Sequence, residues 1–153
     1  MTSIRNSAKA IIIENHEILL SKVIACDKKS IMYILPGGGQ DWGETLHEAL
    51  KRECIEELGA EINIHNLALV REYIGENFFT TVGELHQIEY MFQCDLKTRP
   101  DINKATSDIA EEIGFEWVPI SKLETFNFYP KALVNILQEN ENISSPVYLG
   151  KVE

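Results

Sequence analysis

Hydrophobic and polar positions along the chain first predict a hairpin. Residues 8–14 (AKAIIIE) and 17–24 (EILLSKVI) read as strands, with Asn15-His16 as the turn between them. A short, largely apolar strand, "IMYIL" (31–35), then runs into Pro36 and three successive glycines. From Thr45 the period changes. Thr45 with Glu48 three residues on is a capping-box signature, which sets a helix start there. Leu50, Cys54 and Leu58 recur every four residues as an apolar stripe, and Gly59 supplies the stop. Beyond the helix, 61–74 predicts one or two strands and 85–96 a long one, whereas 97–111 is polar and reads as a loop. "GFEWVPI" (114–120) predicts a further strand and Ser121–Glu124 a helix start. Residues 130–140 predict a last helix with Pro130 at its first position. The tail "PVYLGKVE" has an apolar centre suited to an added edge strand or to a partner's surface. The pattern is a mixed sheet with a few helices on its faces, a single α+β domain over 1–153.

Composition narrows the class of partner. The net charge of −10, from 24 acids against 14 bases, argues against a long nucleic acid, and no Lys/Arg cluster offsets it. A small anionic substrate remains compatible if a divalent cation screens the acids. No apolar run approaches the ~20 residues of a membrane span. The segment MTSIRNSAKAIII lacks a signal peptide's apolar core, and three cysteines without a CxxC pair suit reduced thiols, so a cytoplasmic location is expected.

The glycines at 37–39 match neither familiar phosphate loop. No Lys-Ser/Thr follows at P-loop spacing, and Trp42 stands where a dinucleotide fingerprint needs its third glycine. The helix carries more information. Glu56 and Glu57 lie three and four residues after Glu53, on one helical face. Like charges at that spacing repel, and two of them sit near the negative end of the helix dipole. Such a cluster of oxygen donors suits Mg²⁺ or Mn²⁺; an ordinary solvated acidic face is the alternative.

Starting at Gly38, the chain reads Gly, five residues, Glu44, seven residues, Arg52-Glu53, an apolar residue, any residue, Glu56-Glu57, any residue, Gly59 and a small apolar residue. This resembles the Nudix box of the Nudix hydrolase superfamily, in its MutT-like form. Every charged and glycine position is filled; Cys54 and Ala60 stand where Ile, Leu or Val is usual. The resemblance implies an α/β/α sandwich with a mixed sheet and a loop–helix–loop catalytic motif. It also implies metal-dependent attack of water on the pyrophosphate of a nucleoside diphosphate linked to another group. By the same resemblance Glu53, Glu56 and Glu57 hold Mg²⁺ or Mn²⁺, and Gly37 or Gly38 adds a backbone carbonyl. Arg52 orients the carboxylates, with Glu44 as its partner. The general base is left open among Glu53, Glu89 in the long strand, and Glu111 or Glu112, of which Glu112 is favoured. Phe78, Phe79 and Tyr90 are aromatics for base stacking or for the core. The subfamily marks of ADP-ribose, diadenosine polyphosphate and NADH hydrolases do not settle the substrate; nucleoside triphosphates and nucleotide sugars stay open. A nucleotide sensor that binds without hydrolysis is the alternative function. A homodimer is one arrangement the tail allows.

Overall fold

A computed structural model describes residues 3–77 and 83–153. Strands β1 (Arg5–Glu14) and β2 (Glu17–Ile24) form the expected antiparallel hairpin. Asn15 and His16 take positive φ angles of 50° and 63°, the conformation that lets a two-residue turn follow the twist of its strands. β3 (Ile31–Ile34) pairs antiparallel with β2.

The three glycines are not a loop. Gly37–Gly39 make a short strand, β4, antiparallel to β1 in the register Ser7↔Gly39, Ala8↔Gly38, Lys9↔Gly37. The reason is room. A β-carbon on Gly37, whose φ is +134°, would lie 2.1 Å from the carbonyl oxygen of Ala8. Only glycine lets the two backbones close to pairing distance there.

Helix α1 (Leu46–Leu58) starts and stops where its sequence indicates. Thr45 and Glu48 exchange both capping-box hydrogen bonds, and Gly59 closes the helix in the left-handed conformation at φ 61°. β5 (Ile62–Glu76) and β6 (Glu84–Leu96) follow as a long antiparallel pair, and β6 lies parallel to β1. Within the polar stretch, residues Ile102–Lys104 form one 3-10 turn. β7 (Glu112–Pro119) pairs with β2, and a 3-10 helix over Ile120–Thr125 replaces the α-helical start expected at Ser121. β8 (Phe128–Tyr129) runs parallel to β3.

Helix α2 spans Leu133–Glu139, so Pro130 is not its first residue. The amide N–H groups of Leu133 and Val134 donate to the carbonyls of Pro130 and Lys131, making a tighter turn that precedes the helix. β9 (Val147–Lys151) adds to the sheet edge parallel to β5, as the apolar tail suggested. The strand order is β8-β3-β2-β1-β6-β5-β9, with β4 attached to β1 and β7 to β2. Among the described residues no helix is long and apolar enough to cross a membrane.

Alternation along the central strands divides the core. Ala8, Ala10, Ile12 and Leu19 pack with Leu50, Cys54 and Leu58 of α1 on one face. Ile11, Ile18 and Leu20 pack with Leu123, Leu133 and Leu137 on the other. Helical layers therefore cover both faces of the sheet, and the fold is the α+β, α/β/α sandwich expected. Cys54 and Ala60 are fully or nearly fully buried, so the departures from the usual apolar residues occupy tight positions.

The α1 termini give a stability test. Loss of the cap in Thr45→Ala should lower unfolding free energy by about 1 kcal/mol in urea denaturation. Gly59→Ala should cost more, because its β-carbon would meet the Asp101 carbonyl oxygen at 2.2 Å in a left-handed backbone.

Candidate active site

Arg52 joins the glycine strand to the acidic helix. Its guanidinium grips Glu44 through two hydrogen bonds of 3.2 and 2.7 Å and donates to the carbonyl of Gly39 at 3.0 Å. The remaining nitrogen donates to Glu53 at 3.0 Å and approaches Glu56 at 3.4 Å. The Glu44 carboxyl is held below its usual pKa by those Arg52 hydrogen bonds. Asp41 N–H donates to Glu44 and Gln40 donates to the Glu44 carbonyl, which fixes the corner between β4 and α1. Planar, five-donor geometry suits this junction; a lysine has no such fork.

Glu53, Glu56 and Glu57 do share one side of α1, but they live in different surroundings. Glu56 is the most exposed, its side chain 37% accessible against 13% for Glu53. Glu53 packs against β4 so closely that a β-carbon on Gly38 would fall 2.6 Å from its carboxylate. Burial raises its pKa, and Arg52 works against that rise. Glu57 is buried, and accepts hydrogen bonds from Ser21 Oγ at 2.8 Å and from the Gly37 N–H at 3.2 Å. Its burial pushes the carboxyl up to about 8, with Lys9 opposing. Among the described residues no three acidic, histidine or cysteine side chains form a ready-made cation cage. Protein donors turn the three carboxylates aside: Arg52 takes Glu53 and Glu56, while Ser21 and Gly37 take Glu57. Their donor chemistry still fits a hard divalent cation. They are carboxyl oxygens on one rigid helical face, and burial of Glu53 and Glu57 disfavours their charged forms, a penalty that a bound cation would relieve.

Adjacent residues Glu111 and Glu112 part company in the fold. The Glu111 carboxylate pairs with Lys28 at 2.9 Å near the surface. Glu112, at the start of β7, is hydrogen-bonded by Ser107 Oγ and lines a small cavity of about 140 Å³ with Ser21, Glu56 and Glu57. Glu89 lies elsewhere: it is buried and bound by Arg71 Nε at 2.5 Å and Gln87 Nε2 at 2.9 Å. Gly37 spends its carbonyl on Lys9 Nζ, 3.2 Å away. Tyr90 packs against the α1 core, while Phe78 and Phe79 lie outside the described residues. His47 stacks edge-on against Phe92, and His65 and His86 pair with Asp95 and Glu72.

Sequence reasoning missed Lys9, Ser21 and the Arg71–Glu89 pair. Lys9 had a visible signal: a lysine between Ala8 and Ala10 in an apolar strand is costly to bury without partners. It is buried, and its ammonium reaches the carbonyls of Leu35 and Gly37. Lys9 also lines a second, larger cleft of about 370 Å³, together with Ile34 and Leu35. Met32, Leu85, Tyr73 and Tyr129 form much of its apolar wall, and Arg5, Gln87 and Glu89 line its polar side.

The sequence profile described as the NUDIX domain matches residues 4–136, most of the chain. The chain belongs to the Nudix family. It is 32% identical over 124 residues to the nucleoside triphosphatase NudI of Enterobacter sp. (strain 638), covering 76% of this chain and 83% of that protein. A Nudix hydrolase structure from Nitrosomonas europaea superposes with a TM-score of 0.73 at 15% identity, covering 91% of this chain and 89% of the other. An ADP-ribose pyrophosphatase from Streptococcus suis superposes at 0.62 and 15% identity, covering 94% and 98%. Shared folds at such identities coexist with different substrates. The protein is thus a Nudix hydrolase acting on phosphoanhydrides.

Two measurements check this geometry. Arg52→Ala in the Nudix hydrolase should lower stability by about 2 kcal/mol, since partly buried Glu44 and Glu53 lose a charged hydrogen-bond donor. Arg52→Lys should recover only part of that loss in thermal unfolding. For the thiols, Cys54 is shifted well above its usual pKa and Cys94 up to about 12, both by burial, whereas Cys26 is exposed. A chromogenic disulfide reagent should therefore modify Cys26 alone in the native protein and all three cysteines in denaturant.

Proposed function

We propose that this Nudix hydrolase cleaves a phosphoanhydride bond of a nucleoside triphosphate, or of a related nucleoside diphosphate derivative, with Mg²⁺ or Mn²⁺ held by Glu53, Glu56 and Glu57. One observation carries the reading: Lys9 lines the 370 Å³ cleft and donates to the carbonyl of Gly37, whose N–H in turn donates to Glu57 of the acidic helix. A nucleotide has the same two halves, an apolar flat ring and an anionic phosphate chain. The resemblance to the Enterobacter nucleoside triphosphatase supports the triphosphate as the first substrate to test.

When bound, the metal supplies charge neutralisation of the phosphate oxygens and a more acidic water. The chain's own groups do the rest. Arg52 holds Glu53 and Glu56 through one guanidinium nitrogen while Glu44 holds the guanidinium in place. Lys9 adds a fixed positive charge at the junction of cleft and helix. Glu112, oriented by Ser107 in the cavity it shares with Glu56 and Glu57, is the general base. It takes a proton from the attacking water as the new P–O bond forms, and the bridging oxygen leaves with the departing phosphate group. Glu89 is assigned no proton transfer, because both its oxygens are engaged.

The test is phosphate and pyrophosphate release over nucleoside triphosphates, nucleotide sugars and ADP-ribose, with Mg²⁺ present or chelated. Turnover of triphosphates with Mg²⁺, lost on chelation and restored by added metal, is expected. Glu53→Gln and Glu57→Gln should each lower kcat by about tenfold or more while the domain stays folded. Unchanged turnover in both variants would remove the metal assignment. Tight nucleotide binding with no turnover of any compound would favour the sensor.

A further inference from the structure

One side of the cleft carries hydrogen-bonding groups in a fixed order. Gln87 and Glu89 are two residues apart on β6 and so face the same way. Strand register places Arg5 of β1 beside Gln87, and Arg71 of β5 beside Glu89. The Gln87 side chain is 6% exposed and its amide is pinned at both ends. Arg5 Nη1 donates to Gln87 Oε1 at 2.8 Å, and Gln87 Nε2 donates to Glu89 Oε1 at 2.9 Å. Glu89 is itself held by Arg71, whose Nη1 donates to the carbonyl of Val152 at 3.0 Å.

These partners decide which way the amide points. Its oxygen must face the guanidinium and its nitrogen the carboxylate. A primary amide has two acceptor sites and two donor hydrogens, so one of each remains on Gln87. The wall then presents, in order, a donor from Arg5, an acceptor and a donor from Gln87, and an acceptor from Glu89. The Tyr73 ring beside them is anchored by its hydroxyl, which donates to the Glu76 carbonyl at 2.7 Å.

We propose that this wall reads the cyclic imide edge of a nucleobase, carbonyl, N–H, carbonyl, with Gln87 as the specificity-determining residue. Arg5 and the Gln87 amide N–H face the two carbonyls, and Gln87 Oε1 faces the ring N–H. Uracil, thymine and xanthine carry this edge. Cytosine puts a ring-nitrogen acceptor opposite the Gln87 acceptor. Guanine puts an amino group opposite the Gln87 donor, and adenine has neither carbonyl. Each mismatch leaves desolvated polar groups unpaired, which corresponds to roughly 10- to 100-fold in kcat/KM.

The inference rests on nucleotide hydrolysis at the adjacent acidic face, so it is tested in two ways. The first is kcat/KM with Mg²⁺ for uridine, thymidine, xanthosine, cytidine, guanosine and adenosine triphosphates. The imide bases should lead by about tenfold or more. Gln87→Leu should erase the lead, chiefly through a higher KM for the uridine substrate. Gln87→Asn, which keeps an amide but withdraws it from the wall, should do the same, and thermal unfolding checks that both variants are folded. Equal rates for all bases, or a preserved uridine preference in both folded variants, overturns the proposal. The second is calorimetric titration of the full chain, without metal, by the six nucleoside monophosphates. If no triphosphate is hydrolysed, the proposed activity fails and this titration still decides the base reading. Stronger binding of uridine, thymidine or xanthosine monophosphate sustains it; equal binding or none overturns it.

Discussion

The fork of Arg52 is the interaction on which the rest of the structure depends. It holds Glu44 at the corner, the Gly39 carbonyl on β4, and Glu53 and Glu56 on α1. Without it, an acidic helix face would be pressed against a short glycine strand with too little positive charge between them. Low side-chain volume on β4 and high charge density on α1 are therefore two halves of one constraint. Gly38 has to lack a side chain because the Glu53 carboxylate occupies that space.

From that junction the molecule divides into two chemical environments. On the α1 side, carboxylates are partly or fully buried, and the pKa of Glu57 rises because burial outweighs the help of Lys9, Ser21 and Gly37. On the cleft side, positive groups from β1 and β5 alternate with Gln87 and Glu89 of β6, and the bonds of that chain satisfy buried polar groups. A protein with a net charge of −10 thus sets Arg5, Lys9 and Arg71 against Glu76, Glu89 and Glu153 around one cavity, where the two signs balance.

The closing segment of the chain has a part in this cleft. β9 completes the sheet edge along β5, and the Val152 carbonyl receives Arg71 while the Val152 N–H donates to Glu72. These residues lie beyond the part of the chain that the family profile matches. The matched region thus supplies the acidic helix, and a segment outside it braces the Arg71 side of the cleft.

Local chemistry made much of the molecule readable in advance. Capping by Thr45 and Glu48, arrest at Gly59, the Asn15-His16 turn and the alternation of β1 and β2 involve neighbours in sequence, so their physics is present in the sequence itself. The spacing of Glu44, Arg52, Glu53, Glu56 and Glu57 was readable for the same reason, since most of it lies on one helix. Long-range pairing was not. That Gly37–Gly39 form a strand depends on β1 standing beside them, and Pro130 fell outside α2 because a tighter turn precedes that helix. Glu111 and Glu112 look equivalent as neighbours, yet strand geometry sends one to Lys28 and the other to Glu57's cavity. Lys9, Ser21 and Arg71 gain their partners only from elements far apart in sequence, as the Gln87 oxygen does from Arg5. The sequence by itself determined the acidic helix, its caps and the order of elements; only the tertiary structure decided which buried charges meet, because burial and register are properties of the assembled sheet.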